Sequence, residues 1–215
     1  TADFAVARYL ADGSLDASFS GDGKQMVDLA GSDDLGTGLA LDNTGRIVQV
    51  GAVLVGSDRD FGIVRYTTDG SLDTSFSGDG MVSVDIGGSS DSGYGLALQS
   101  DGKLVQSGGG VVGGAQDFAV VRYNTDGSVD TGFGGGDGIV TTAVGSSFDI
   151  AQSVAIQSDG KIVVGGYYSN GSNNDIAVVR YTSAGAIDTG FGGGDGITTV
   201  DFGGHDASWG LTLQS

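Results

Sequence analysis

The chain has 215 residues, 9 basic against 27 acidic side chains and a net charge of −18, a balance that repels phosphate backbones and anionic headgroups and so argues against nucleic-acid and membrane-surface partners. All 27 acids are Asp, and 43 Gly stand beside no Pro and no Cys; Asp and Gly bend and cap a backbone where Glu would extend helices, and disulfides and thiolate metal sites are ruled out. No apolar run approaches the roughly 18 residues of a membrane span, so membrane insertion is not expected, and a chain opening on Thr1-Ala2-Asp3-Phe4 reads as a mature or excised fragment.

Along the chain one pattern recurs. Arg8-Tyr9, Arg65-Tyr66, Arg122-Tyr123 and Arg180-Tyr181 follow one another at intervals of 57, 57 and 58 residues. Asp3, Asp60, Asp117 and Asp175 precede these pairs; Asp16, Asp73, Asp130 and Asp188 follow, then Phe19, Phe76, Phe133 and Phe191. A fixed period of this length predicts the whole architecture, because each unit is too small to bury its own apolar faces.

In chain order the periods divide into a partial unit at 1–29, full units at 30–86, 87–144 and 145–202, and a first strand at 203–215. The unit 87–144 shows the elements most plainly. Strands are predicted at 93–99 and 103–108 around Ser100-Asp101-Gly102, a hairpin turn in which Gly supplies positive φ. Two more follow at 117–123 and 139–144, joined by a loop too rich in Gly and Asp for helix. In the third strand Phe118, Val120 and Arg122 alternate with Ala119, Val121 and Tyr123, so both faces are partly apolar. Four short antiparallel strands that must be covered on both sides define an all-β fold, a β-propeller or part of one, with blades of about 57 residues. A parallel β-helix is the rival, but its rungs are shorter and need no internal hairpin.

The strings YNTDGSVD at 123–130 and SDGKLV or SDGKIV from Ser100 and Ser158 resemble the bacterial delta-sixty repeat along nearly the whole chain. Strand order and the pairs Gly108-Gly109 and Gly165-Gly166 are also similar to kelch layout. The resemblance implies a bacterial surface or secreted protein built of propeller repeats, and it carries over no catalytic residue.

The recurring Arg8, Arg65, Arg122 and Arg180 share a face with apolar neighbours and need an anionic or carbonyl partner, which the recurring Asp of each long loop can supply as a structural staple. Those loops also offer a calcium reading through Asp69, Asp73 and Asp79, and through Asp126, Asp130 and Asp137, although the spacing matches no EF-hand. Turn formation by the same Asp residues is the simpler reading. No other cofactor is expected. The Gly-rich 132–139 and 190–197 lack the Lys-Ser/Thr of a phosphate loop and lead into strands. His205 is the lone His with no Cys to activate, and no Gly-x-Ser-x-Gly elbow precedes a helix. We therefore expect no enzyme. A glycosidase using paired Asp is the distant alternative.

What differs between units is more informative. The connections from second to third strand read AVLVGSDR (52–59), GGVVGGAQ (109–116) and YYSNGSNN (167–174), while the SDGK turns hardly change. One rim is thus expected to be scaffold and the other free to specialise. A ligand, protein or glycan, would be sought at Tyr167, Tyr168, Asn170, Asn173, Asn174, His205 and Trp209. The expected role is a non-enzymatic extracellular or cell-surface module for adhesion, recognition or assembly. An exposed sheet edge would also allow self-association, with a structural array as the alternative role.

Overall fold

The computed structural model describes residues 2–31 and 33–214; Thr1, Ser32 and Ser215, which fall in the predicted units 1–29, 30–86 and 203–215, lie outside the described residues. Among the described residues there is no helix. A two-stranded sheet pairs β1 (Phe4–Ala7) with β2 (Lys24–Val27). Three four-stranded antiparallel sheets follow: β3 (Leu35–Leu41), β4 (Ile47–Val55), β5 (Asp58–Tyr66) and β6 (Met81–Val84); then β7 (Ser92–Leu98), β8 (Leu104–Val112), β9 (Ala115–Tyr123) and β10 (Ile139–Thr142); then β11 (Asp149–Ile156), β12 (Ile162–Ser169), β13 (Asn174–Tyr181) and β14 (Ile197–Val200). In each sheet the strands lie side by side in chain order, the meander of a propeller blade.

Local chemistry sets these elements. At the first turn of the second full blade, Gly102 takes a φ of +85°, its N–H donates to Gln99 O at 3.0 Å, and Asp101 Oδ1 accepts from Lys103 N at 3.1 Å. The turn is therefore closed by its own residues.

The core is divided into three apolar layers, each between successive sheets. Phe118, Val120 and Phe133 of one blade meet Ala151, Val154, Ile162, Val164 and Tyr181 of the next. The other face of β9, with Ala119, Val121 and Tyr123, packs on Val48, Val50, Phe61, Ile63 and Phe76 of the blade before. A third layer joins Phe4, Val6, Phe19 and Val27 to Ile47, Val53, Val64 and Tyr66. The alternation read from the sequence is thus the packing rule in β5 and β9: one face serves the blade ahead, the other the blade behind. The first strands crowd one another, and a Cβ on Gly95 of β7 would sit 2.9 Å from Ser153 Cα of β11.

Two expectations are corrected. The connections between second and third strands are not loops; the strands run through them as long hairpins, β8 to Val112 and β9 from Ala115, with only Gly113-Gly114 left to turn. Gly108 and Gly109 accordingly lie inside β8 rather than after it. Small residues there admit neighbouring atoms: a Cβ on Gly108 would meet Ser92 O at 2.0 Å and Phe61 Cζ at 2.6 Å. Among the described residues no strand is assigned after Val200, where a first strand was expected at 203–215.

Candidate functional site

At one end of the blades the long loops meet the Asp-Gly turns, and here the Arg side chains are anchored. Arg65 Nε donates to Asp73 Oδ2 at 2.8 Å, the guanidinium lies 4.5 Å from the Phe76 ring centroid, and Nη1 donates to Thr125 O of the next blade at 2.6 Å. Arg8 repeats this with Asp16, Phe19 and Thr68 O, and Arg122 with Asp130, Phe133 and Ser183 O. Arg180 keeps Asp188 at 2.7 Å and Phe191 at 4.7 Å. In the three full blades the Asp also receives a cation from the blade's first turn: Arg46 on Asp73, Lys103 on Asp130, Lys161 on Asp188. The hydrogen bond from Lys103, opposed by burial and assisted by the Gly132 amide and Arg122, holds the Asp130 carboxyl down at about 2. The Arg–Asp pair and the Arg–Phe stack recur in all four units.

The residues read as a calcium set are not brought together. Asp69 Oδ1 accepts from Ser71 N at 3.0 Å, Asp73 Oδ1 from Ser75 N at 3.0 Å and Asp79 Oδ1 from Met81 N at 3.0 Å. In the next blade Asp126, Asp130 and Asp137 likewise accept from Ser128, Gly132 and Ile139 amides. Each carboxylate closes its own turn, and none of these triplets is among the acid clusters that converge in the described residues.

The opposite rim carries the variable residues, and the structure does gather most of them. Tyr167, on β12, has its ring centroid 6.4 Å from that of Trp209 and 6.1 Å from that of Phe148. Burial raises the Tyr167 phenol, neighbouring Tyr94 adds to the rise, and a hydrogen bond with Gln152 works against it. Trp209 is 72% exposed and Phe148 41%, so the patch has an open aromatic face. Asn174 N donates to His205 Nδ1 at 3.3 Å and Asn173 Nδ2 to Gly204 O, which ties the β12–β13 hairpin to the final segment.

Two candidates serve other ends. Tyr168 points to the opposite face and packs on the layer between blades. Asn170 forms the hairpin turn, its Oδ1 accepting from Ser172 N at 2.8 Å and Asn173 N at 3.0 Å. Phe148, Tyr94 and Gln152 were not singled out from the sequence. The signal was present for two of them: Tyr94 and Gln152 hold the place of Trp209 in the repeat, and that place is the bulge of the first strand, where the register slips between Gly93 and Gly95 and between Ala151 and Ser153. A bulged residue is turned out of the ladder, so successive blades deliver these side chains to one spot.

Antiparallel four-stranded sheets packed face to face in sequence, joined blade to blade by a repeated Arg, define a β-propeller. The chain belongs to the β-propeller family described as a domain of unknown function, DUF5122, whose repeat matches residues 1–19, 43–76, 99–133 and 157–191. Each matched stretch after the first runs from the first turn of a blade through the long loop to its Phe, the segment that contains the Arg anchor. No curated protein matches the chain.

Proposed function

We propose that this propeller is a non-enzymatic recognition module of the delta-sixty type, carried by a bacterial surface or secreted protein, that binds a glycan at its variable rim. The observation that carries the reading is the open aromatic patch of Tyr167, Trp209 and Phe148, edged by Asn173 and His205. Aromatic faces stack on the apolar side of a sugar ring while amide and imidazole groups take its hydroxyls. Among the described residues the patch occurs once, whereas the Arg–Asp–Phe contacts repeat. A glycan array probed with the purified chain tests it: binding that is lost in Trp209→Ala and Tyr167→Ala, without release of reducing sugar, supports the proposal. Absence of binding to any glycan, or turnover of one, overturns it.

A second reading is favoured by one feature. Leu39 and Leu41 of β3 are 54% and 61% exposed, yet their repeat equivalents Leu96 and Leu98 pack on the preceding blade. The β1–β2 sheet packs on β4 and β5 of this blade and leaves these two side chains exposed, and we propose that another copy of the chain covers them.

A further inference from the structure

On the variable rim, three acids converge in each of two blades. Phe61 pairs with Val84 and Ile176 with Val200, so one step further along the ladder Asp60 faces Asp85, and Asp175 faces Asp201. The third acid heads the next first-strand segment and is held in place by a backbone amide: Ile86 N donates to Asp91 Oδ2 at 2.6 Å and Phe202 N to Asp206 Oδ2 at 2.7 Å. In both clusters one carboxylate oxygen from each acid lies within 4.8 Å of the other two.

Three carboxylates this close repel one another, and here, unlike at the Arg anchors, the described residues place no Lys or Arg in a salt bridge with any of the six. A separate observation points to a missing positive partner. Asp175 is only 3% exposed, and its Oδ1 is buried without any hydrogen-bond donor. A buried carboxylate oxygen without donor or cation is costly, on the order of several kcal/mol.

A hard divalent cation satisfies all of these groups together. Calcium takes oxygen ligands at roughly 2.3–2.6 Å, so ligands on opposite sides of the ion are about 5 Å apart, as wide as these clusters open. Magnesium would require a tighter set. The chain also contains its own control. In the blade between, Phe118 pairs with Thr142, and the residue next in line is Ala143, which leaves only Asp117 and Asp149.

We propose that the protein binds two calcium ions, one held by Asp60, Asp85 and Asp91 and one by Asp175, Asp201 and Asp206. The proposal does not depend on what the aromatic patch binds. Each ion would clamp the end of a third strand to the link that enters the next first strand, and so fix the rim.

Calorimetric titration of the whole chain with calcium at physiological ionic strength, with magnesium in parallel, tests this. Saturable binding of two ions is expected, falling to one in Asp85→Asn or Asp201→Asn and to none in the double variant. Ala143→Asp should add a third. Asp85 and Asp201 are exposed, so their Asn variants should fold, and without calcium they should melt no lower than the parent because repulsion is relieved. Stoichiometry that is unchanged in the double variant, or an absence of saturable calcium binding in the parent, overturns the proposal. Magnesium binding as tight as that of calcium overturns the choice of ion.

Discussion

Arg65 donates a hydrogen bond through Nη1 to the backbone carbonyl of Thr125, 60 residues later in the chain, at 2.6 Å. Since its Nε is held by Asp73 of its own blade, one guanidinium joins two blades and is stacked on Phe76 as well. A repeat protein is stable through its interfaces as much as through its units, and this contact lies on an interface.

Arg65→Ala should therefore destabilise the chain by on the order of 3 kcal/mol, the usual cost of removing one partner from a buried charged network. Arg180→Ala should cost less, about 1 kcal/mol, because Arg180 is more exposed and reaches only Gly190 O of its own loop, at 3.5 Å, with Nη2. Urea denaturation of both variants decides; equal losses would show that the cross-blade bond contributes nothing.

Acid should weaken the same end of the propeller. At Asp42, burial works against ionisation, but hydrogen bonds from Thr44 and Arg46 outweigh it and hold the carboxyl at about 2, as Lys103 does for Asp130. Carboxyls held below their unfolded value of about 3.9 stabilise the fold at any pH above that value and stop doing so as pH falls from about 4 to about 2. Melting temperature should decline through that window. Lys103→Met should move the decline to higher pH, and an unshifted profile would count against the assignment to Asp130.

How far this was legible follows from the kind of residue involved. The Arg–Asp anchor could be read because an Arg on an apolar face demands an anion and an Asp recurs eight residues on. Its second bond could not, since Thr125 O is a backbone atom with no signature in the sequence. The hairpins at 109–116 looked like loops because Gly marks both turns and close approach, and composition does not distinguish them. The acids that converge are separated along the chain and meet only through the register of β5 with β6 and of β13 with β14. Those chosen from local spacing each accept an amide hydrogen bond two residues on, within their own turns.

The two uses of Gly can be separated experimentally. Gly108→Ala places a Cβ 2.0 Å from Ser92 O and 2.6 Å from Phe61 Cζ in the middle of β8, an overpacking expected to cost roughly 1–3 kcal/mol or more. Gly113 has a φ of +66° with nothing within 4 Å of an added Cβ, so Gly113→Ala should cost about 1 kcal/mol through backbone strain alone. Asn tolerates the left-handed region; Gly113→Asn should therefore recover part of that loss, whereas Gly108→Asn should not. Thermal denaturation of the four variants provides the comparison, and equal recovery at both sites would refute the distinction.

The uncovered face of β3 makes its own prediction. Leu39 and Leu41 would together release on the order of 2–3 kcal/mol if covered as Leu96 and Leu98 are, too little to hold a tight dimer but enough to favour weak association at high concentration. Sedimentation velocity should show a concentration-dependent rise in mass that Leu39→Lys with Leu41→Lys abolishes, while the melting temperature of the monomer stays nearly constant because both side chains already face solvent. A parent chain that remains monomeric at high concentration, or an association that survives both Lys substitutions, would place the contact elsewhere.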